Sequence, residues 1–570
     1  MIRVLVRCDG VALPRDLAGE EWDRTEEIRH RGASANLNLS IQAPRADFNS
    51  LTGRAADLLA IAAYAFGADQ QVRRGGLADA YGDDWRRSFT LVVPVSDPRF
   101  WSTPDVSSRL TATLLFASED RWTFRFVPAR RLEEHAIPLG VDANELLREP
   151  DVVCLLSGGL DSLCSVVDQF ALRKRKPLLV GHSPAFHIGA RQRALRNSLK
   201  EHFHGWHFPY VSGAVHRMGS DAPETSQRTR SFLYATLGAV VASALRLHDV
   251  QLADNGVVSL NLPLNDQVIG AMATRSTHPK FLRLFNALLQ VVFPGGPQVS
   301  NPLWNHTRRE ALGLLQEADA VPLLEGTNSC AHPHGRPAMQ PFCGVCSQCV
   351  DRRFATIAAG LDEYDPADRY ALDIFHDSIP DERTARLMVF SYYRHCRELT
   401  ELVDDEFFSR FPQLGDCVDP AADDQVTVAT SLVAMLRRHG ETNVRVMDEM
   451  IKAASGRLAR GTLPLDCLVT LAAAQGAPTA TAEPSAVFRP SPDYRVITFR
   501  GEEYQATVNQ ARVIQLMHEQ KDAGNPVLSQ DFILERLDIG SKTLLQVFRG
   551  SRLWKTIIVA TGRGLYQLNF

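Results

Sequence analysis

Residues 151–162, with the sequence DVVCLLSGGLDS, are the stretch that decides the fold. The apolar run Val152–Leu156 has the length of a buried strand, and a Ser-Gly-Gly turn follows it at residues 157–159. Residues 161–170 then place apolar side chains at helical spacing. The stretch therefore predicts a strand, a tight turn and a helix start. Free backbone N–H groups and partial positive charge at such a helix start favour a phosphate group.

The turn is not a Walker A loop, because that loop requires a Lys residue and a wider spacing of its glycines. The sequence SGGLDS instead resembles the loop of the PP-loop ATPases, which split ATP between its α and β phosphates. This resemblance implies that the loop holds the leaving pyrophosphate while a carboxylate or carbonyl oxygen is adenylated. It also implies ATP and Mg²⁺ as cofactors, with Asp161 as the Mg²⁺ contact, because Mg²⁺ prefers hard oxygen ligands. An ordinary strand-to-helix turn is the alternative.

Length and composition are those of a globular protein with several domains. Of the 570 residues, 45% are hydrophobic and 22% are charged, and this length suggests about three domains. The formal net charge of −4 does not favour nucleic acid as the main partner. Because the first residues contain no apolar signal segment and no apolar run has the length of a membrane helix, we expect a cytoplasmic protein with no membrane contact.

Residues 1–148 carry no motif with recognisable chemistry. Their patterns predict an α+β domain with an antiparallel sheet. The predicted strands are residues 35–42, 89–95, 110–116 and 122–127, and the predicted helix is residues 55–66. We prefer a scaffolding role for this domain, with dimerisation or partner binding as alternatives.

From residue 149 onward, predicted strands and helices alternate. The strands after the first are residues 178–182, 206–211 and 250–252, and the helices are residues 188–203 and 231–247. Such alternation is typical of a parallel α/β sheet, whose ligands bind beyond the carboxyl ends of the strands. The SGGLDS turn lies at such an end. So should residues 253–256, in which Asp254 and Asn255 carry polar side chains into a turn.

Four of the ten cysteines form the second strong signal. They are Cys330, Cys343, Cys346 and Cys349. Four thiolates suit a closed tetrahedral Zn²⁺ site, which stabilises the fold and does not activate water, because no ligand position stays open. An iron–sulfur cluster is the competing occupant, and unrelated buried thiols are the alternative without a metal. His332 and His334 flank the cysteines, but four thiolates already complete the shell.

The two motifs together resemble the 7-cyano-7-deazaguanine synthase family, QueC. The resemblance covers residues 150–362 and includes three pieces that look like substrate-side motifs, namely Arg228–Phe232, Asp254–Gly256 and Ala273–Pro279. It implies a PP-loop ATPase core with a structural four-cysteine zinc site. It also implies an enzyme that adenylates 7-carboxy-7-deazaguanine, adds ammonia to give an amide, and dehydrates the amide to the nitrile with a second ATP.

The long flanks resemble those of QueC-like proteins from antiphage operons, including the Qat and type IV CBASS systems. About 140 N-terminal and about 200 C-terminal residues are added, and residues 331–342 are inserted within the cysteine cluster. This resemblance implies a defence role in which the activated acyl group passes to an amine on a partner protein from the same operon. Housekeeping synthesis of the nitrile from ammonia is the alternative.

The motifs supply candidate roles for individual residues. Asp161, Arg230 and Arg275 are the candidate catalytic residues, and Arg230 could pair with a phosphate or carboxylate through two hydrogen bonds. A solvated surface charge is the alternative for Arg230, Arg275, His278 and Lys280. The candidate cofactor-binding residues are Ser157, Gly158, Gly159, Leu160, Asp161, Ser162, Asp254, Asn255 and His278.

The C-terminal part predicts a helical region at residues 363–475, a linker at 476–492 and a winged-helix-like domain at 493–570. The predicted helices of the first are residues 384–400, 428–439, 444–454 and 464–474. Basic residues of the last domain could bind DNA phosphates. They are Lys542, Arg549, Arg552, Lys555 and Arg563. They are few and diluted by acids, so we favour docking of a protein.

The sequence as a whole favours an AMP-forming ligase that relies on positioning and on stabilisation of phosphate charge. A tRNA-modifying PP-loop enzyme is one alternative, although it would require a more basic surface. A non-catalytic scaffold, stabilised by zinc and able to sense ATP, is another.

Overall fold

The computed structural model describes most of the chain. The described residues are all except 46–49, 75–85, 130–136, 147–149, 220–221, 225, 265–274, 332–335, 338, 381–382, 477–487, 492–493, 500–501, 523–526, 538, 542, 555, 563 and 570. They divide into two compact units, one between Met1 and Ala472 and one from Ala473 onward.

The N-terminal part of the first unit contains seven strands and three helices among the described residues. In chain order they are β1 (Ile2–Cys8), β2 (Arg24–Ile28), β3 (Leu37–Arg45), β4 (Ser50–Leu51), α1 (Gly53–Gln71), β5 (Arg87–Val95), α2 (Pro98–Trp101), α3 (Pro104–Ser118), β6 (Arg121–Pro128) and β7 (Ile137–Leu146). Four of these strands form a sheet in the order β2-β1-β5-β6, and every neighbouring pair is parallel.

The predicted antiparallel sheet is therefore wrong, and so is the predicted strand at residues 110–116, which lies inside α3. Threonine-rich sequence gave this segment the composition of a strand. However, Pro104 occupies the first turn, and Val106, Leu110 and Leu114 are buried at helical spacing. Since α3 connects β5 to β6, the segment forms a strand–helix–strand crossover, and a crossover makes the two strands parallel.

The central part of the first unit alternates strands with helices, as the sequence predicts. Its elements are β8 (Val152–Leu155), α4 (Leu160–Val167), β9 (Pro177–His182), α5 (Phe186–His202), β10 (Tyr210–Arg217), α6 (Arg230–Ala244), β11 (Asp249–Gln251), α7 (Gly256–Leu260), α8 (Pro279–Val292), β12 (Gln298–Ser300), α9 (Arg308–Glu317) and α10 (Ser347–Ala358). The third predicted strand begins later than expected, at Tyr210 and not at residue 206.

A larger sheet has the order β12-β11-β8-β9-β10-β3-β7-β4 among the described residues. Neighbours from β12 to β10 are parallel, which confirms the predicted parallel pairing. Strand β3 then pairs antiparallel with β10, so strands from the N-terminal part extend this sheet. Along β8, Val153 and Leu155 belong to one hydrophobic core, while Val152 and Cys154 belong to another. The strand is therefore covered on both faces.

A helical region completes the first unit. Its longer helices and one short one are α11 (Arg383–Glu401), α12 (Phe407–Arg410), α13 (Gln425–Ala459) and α14 (Leu468–Gly476). The two helices predicted at 428–439 and 444–454 are a single helix, α13. Gly440 lies inside it where a Cβ atom would come within 2.6 Å of the Cys396 carbonyl oxygen. The glycine thus permits a close crossing of α11 and does not end the helix.

The second unit contains β13 (Phe488–Pro490), β14 (Val496–Phe499), β15 (Glu502–Gln505), α15 (Val508–Asp522), β16 (Val527–Ser529), α16 (Gln530–Arg536), α17 (Leu544–Val547), β17 (Ile558–Gly562) and β18 (Leu565–Leu568). Its assignment as a winged helix stays a prediction. Of the predicted phosphate contacts, Lys542, Lys555 and Arg563 lie outside the described residues, and Arg552 pairs with Glu502 at 3.0 Å. Within the described part of the chain, no helix has the length and apolarity needed to cross a bilayer.

Candidate active site

The SGGLDS turn connects the end of β8 to the start of α4. Gly158 has a φ of +87°, a conformation that favours glycine, and Gly159 is the N-cap residue of α4. The Ser157 hydroxyl oxygen accepts a hydrogen bond from the Gly159 N–H at 3.2 Å and lies 3.1 Å from the Ser162 hydroxyl. Two hydroxyl groups and the first turn of α4 therefore meet at one point.

The chain just before Cys330 supports this turn. The Asn328 N–H donates to the Gly158 carbonyl oxygen at 3.0 Å, and the Leu160 N–H donates to the Ser329 hydroxyl at 3.3 Å. The turn and the cysteine segment are thus joined by direct hydrogen bonds, although about 170 residues separate them in the sequence.

Asp161 is buried, and its two carboxylate oxygens differ. Its Oδ2 accepts hydrogen bonds from the Asn255 N–H at 3.2 Å, from Asn255 Nδ2 at 3.0 Å and from Arg308 Nη2 at 3.3 Å. Its Oδ1 is buried and has no hydrogen-bond partner within the described residues. A buried carboxylate oxygen without a donor is suited to bind a cation or a polar ligand.

A cavity of about 110 Å³ adjoins the turn. Its polar lining includes Ser157, Ser162, Arg230, Ser231, Asp254 and Ser276. Arg230 is the first residue of α6 and is exposed. The cavity therefore has a cationic group, several hydroxyl groups and two helix N-termini at its margin, and this combination suits an anionic ligand.

Asp254 is the acidic residue of this cavity. Burial and the negative charge of Asp161 raise the pKa of Asp254 to about 7, although the Thr277 hydroxyl, which donates to Asp254 Oδ2 at 3.0 Å, acts in the opposite direction. At neutral pH this carboxyl group is therefore part protonated and can take up or release a proton.

Arg275 contacts α3 and Glu119, the residue directly after α3. Arg275 is not part of the described cavity lining. Its Nη1 donates to the Phe116 carbonyl oxygen at 2.8 Å, its Nη2 pairs with Glu119, and its guanidinium lies 4.7 Å from the centre of the Phe116 ring. The predicted catalytic pair of Arg230 and Arg275 is thus divided between the cavity and this contact.

His278 also lies elsewhere. It is the N-cap residue of α8, where its Nδ1 accepts from the Lys280 N–H at 3.2 Å, and its Nε2 lies 3.5 Å from Cys417 Sγ. Burial and the nearby charge of Arg275 lower the pKa of His278 to about 4, so the ring is neutral at pH 7. Lys280 pairs with Asp416 at 2.6 Å.

The four predicted metal ligands converge. The Sγ atoms of Cys330, Cys343, Cys346 and Cys349 are buried and lie within 4.8 Å of one another. Cys343 Sγ and Cys349 Sγ are 3.8 Å apart, which equals the separation of two thiolates in a tetrahedron with Zn–S bonds of about 2.3 Å. These residues fit zinc, and His332 and His334 lie outside the described residues.

Arg308 is the main residue that the sequence reasoning missed. It is buried and lies between Asp161 and Asp351, whose Oδ2 is 3.2 Å from Arg308 Nε. Burial alone would lower the pKa of Arg308, but the two carboxylates raise it further than burial lowers it. A capping box of Thr307 and Glu310 begins α9, the helix that carries Arg308. An arginine directly after the N-cap Thr307 places a positive charge at the positive end of the helix dipole. This unfavourable placement is the feature of the sequence that points to a special role for Arg308.

These features define a mixed α/β protein with a Ser-Gly-Gly turn at the end of a parallel strand and a four-cysteine site that could hold a metal. The chain is 25% identical over 241 residues to the 7-cyano-7-deazaguanine synthase of Methanothermobacter thermautotrophicus. The aligned region covers 96% of that protein and 37% of this chain. This weak similarity supports the predicted resemblance to that family, whereas the resemblance to antiphage proteins stays a prediction. No family model matches the chain, and no solved structure matches it.

Proposed function

We propose that the protein is an ATP-dependent ligase that activates a carboxylate as an acyl adenylate and transfers the acyl group to an amine. The observation that carries this proposal is the shared cavity of the Ser-Gly-Gly turn, Arg230 and Asp254 at the carboxyl ends of β8 and β11. The similarity to a 7-cyano-7-deazaguanine synthase supports 7-carboxy-7-deazaguanine, or a close analogue, as the acid.

The first step joins the acid to AMP. A carboxylate oxygen attacks the α-phosphorus of ATP, the bond to the bridging oxygen breaks, and pyrophosphate leaves. The Ser157 and Ser162 hydroxyls and the N–H groups of the first turn of α4 would bind the pyrophosphate, while Arg230 would pair with the carboxylate. Placement of the two reactants and stabilisation of phosphate charge supply the catalysis, and no side-chain nucleophile is required.

Asp161 is the residue that would hold Mg²⁺, through the oxygen that has no partner in the described structure. When bound, Mg²⁺ would neutralise phosphate charge. The four cysteines would hold zinc, which has no ligand position left for water and so stabilises the local fold.

The second step transfers the acyl group. The amine attacks the acyl carbon, the bond to the AMP oxygen breaks, and AMP leaves. Asp254, with a pKa of about 7, can accept the proton that the amine loses. We propose that this amine belongs to a partner protein of the same operon in antiphage defence, in the cytoplasm. Ammonia is the second candidate, because the similarity spans almost the whole length of a synthase.

One experiment distinguishes transfer to a protein amine, transfer to ammonia and a non-catalytic scaffold. The purified full-length protein is incubated with Mg-ATP, 7-carboxy-7-deazaguanine and either ammonium or the products of neighbouring genes, and the products are measured by mass spectrometry. We expect AMP and pyrophosphate together with a mass gain on a protein. AMP with a free amide or nitrile would favour ammonia, and bound ATP that never yields AMP would support the scaffold and contradict the proposal.

Two matched arginine variants test the cavity itself. Arg230→Ala should raise the KM for the acid by about 100-fold, because a paired cation would be lost from the ligand. Arg275→Ala should instead lower the melting temperature, since Arg275 contacts Phe116 and Glu119. The opposite pattern would move the substrate site from the cavity to the surroundings of Arg275.

A further inference from the structure

Asp161 is held at one oxygen by three donors, and two of them come from Asn255. The third is Arg308 Nη2, at 3.3 Å. Because Oδ2 receives all of these hydrogen bonds, the carboxylate has a fixed orientation, and Oδ1 has no donor among the residues that the structure describes. Carboxylates that bind metals are commonly oriented in this way by neighbouring groups that do not contact the metal.

Arg308 is itself held by the helix that begins at the cysteine cluster. Its Nη1 donates to the Gln348 carbonyl oxygen at 3.0 Å, and its Nη2 donates to Gln348 Oε1 at 2.7 Å. Its Nε lies 3.2 Å from Asp351 Oδ2. Gln348 and Asp351 both belong to α10, whose N-cap residue is Cys346. A chain of buried and part-buried contacts therefore leads from a cysteine of the predicted zinc site to the carboxylate of Asp161.

We propose that Arg308 is a positioning residue that keeps Asp161 Oδ1 available to the Mg²⁺ of the bound nucleotide and ties that orientation to the helix of the four-cysteine site. This inference rests on the proposed function and assigns a role to a residue outside the recognised motifs. Only an arginine suits this position, because its planar fork can donate to Asp161 and Gln348 at once, whereas a lysine offers a single point of charge.

The closing experiment compares two buried arginines. Arg308 belongs to α9, and Arg352 belongs to α10. Arg352 is fully buried as well, but it donates to Asp365 and Thr327 and not to Asp161. Arg308→Lys and Arg352→Lys should therefore destabilise the protein to a similar degree. Only Arg308→Lys should disturb Asp161, which makes Arg352→Lys the matched control.

The measured quantity is the Mg²⁺ concentration at half-maximal binding of a non-hydrolysable ATP analogue, determined by titration calorimetry of the full-length protein. Loss of a residue that orients a metal ligand typically costs about 10–100-fold in metal affinity. We expect Arg308→Lys to raise the half-maximal Mg²⁺ concentration about 10-fold without changing binding of the analogue in the absence of Mg²⁺. Arg352→Lys should leave both quantities at their wild-type values.

An unchanged Mg²⁺ requirement in folded Arg308→Lys would overturn the inference and leave the proposed function intact. If Arg308→Lys does not fold, Gln348→Ala decides, because it removes one acceptor that holds Arg308, and a wild-type Mg²⁺ requirement in that variant would overturn the inference equally. A wild-type protein that binds no nucleotide would instead contradict the proposed function, and the inference with it.

Discussion

The two sheets of the first unit differ in how the hydrogen bonds of the acidic residues that follow their strands are satisfied. In the N-terminal sheet, Asp9 follows β1, its Oδ1 accepts from the His30 N–H at 2.9 Å, and its Oδ2 accepts from the Tyr64 hydroxyl at 2.8 Å. In the larger sheet, Asp161 follows β8, and its Oδ1 has no partner among the described residues. A carboxylate whose two oxygens both accept hydrogen bonds stabilises the fold, whereas a buried carboxylate oxygen without a donor indicates a place for a ligand.

A second pair of acidic residues shows the same contrast. Asp120, in the N-terminal part, is fully buried and accepts hydrogen bonds from Arg74 and Arg87. Asp254, which follows β11 of the larger sheet, lines the cavity, and burial together with the charge of Asp161 raises its pKa to about 7. Asp120 thus forms ion pairs with two buried arginines, whereas Asp254 forms no ion pair within the described residues.

The largest expected effect follows from Asp161→Asn. Because this change removes the negative charge that would bind Mg²⁺, we expect AMP formation to fall about 10³-fold. The loss of stability should be small, since Asn keeps an oxygen acceptor for Asn255 and Arg308 keeps Asp351. AMP release and thermal unfolding measure the two effects, and an active Asp161→Asn protein would contradict the contrast between the sheets.

Asp120→Asn should show the reverse pattern. Removing one charge from the buried pairs with Arg74 and Arg87 should lower the free energy of unfolding by about 3 kcal/mol, while the folded fraction keeps its rate of AMP formation. Asp105→Asn is the control, because the Asp105–Arg109 pair is exposed and such pairs contribute only about 0–1 kcal/mol. Equal losses of stability in chemical denaturation would count against a special role for the buried cluster.

Asp254→Asn should reveal a dependence on pH. Since the pKa of Asp254 is raised from 3.8 to about 7, the folded protein retains a proton between these values that the unfolded chain has lost. This group therefore reduces stability as the pH rises through that window, and the reduction persists above pH 7. We expect Asn to raise the melting temperature relative to wild type more at pH 8 than at pH 5. A difference that is independent of pH would show that Asp254 titrates normally.

Tyr64→Phe should have the smallest effect. The change removes the hydroxyl that donates to Asp9 and lies 3.0 Å from His30 Nδ1, and the loss of one buried hydrogen bond costs about 1 kcal/mol. AMP formation should stay at the wild-type rate. A large loss of activity in a folded Tyr64→Phe protein would show that the N-terminal sheet takes part in the chemistry.

The local signals of the site could be predicted, because each resides in a short stretch of sequence. The strand, turn and helix at residues 151–162 depend on neighbouring residues only, and the spacing of the last three cysteines is itself the geometry of a metal turn. The capping box of Thr307 and Glu310 is a local feature of the same kind. Such features need no knowledge of the rest of the fold.

The features that the sequence did not disclose depend on distant contacts. Arg308 reaches Asp161 and Gln348 from a third part of the chain, and no periodicity signals such a bridge. The ion pair of Arg275 with Glu119 depends on the position of α3. The composition of residues 110–116 is that of a strand, so the sequence does not indicate this contact. Because α3 is the crossover helix between β5 and β6, a strand at residues 110–116 also predicts the wrong direction for the N-terminal strands.

Strand β3, which pairs antiparallel with β10, has a practical consequence for work on shortened proteins. A chain that starts at residue 149 would leave β10 without its neighbour and expose a row of unpaired N–H and C=O groups. Such bare edges recruit other chains and cause aggregation. Production of the central α/β part should therefore retain the segment from residue 37 onward, or supply that segment as a separate peptide that pairs with β10.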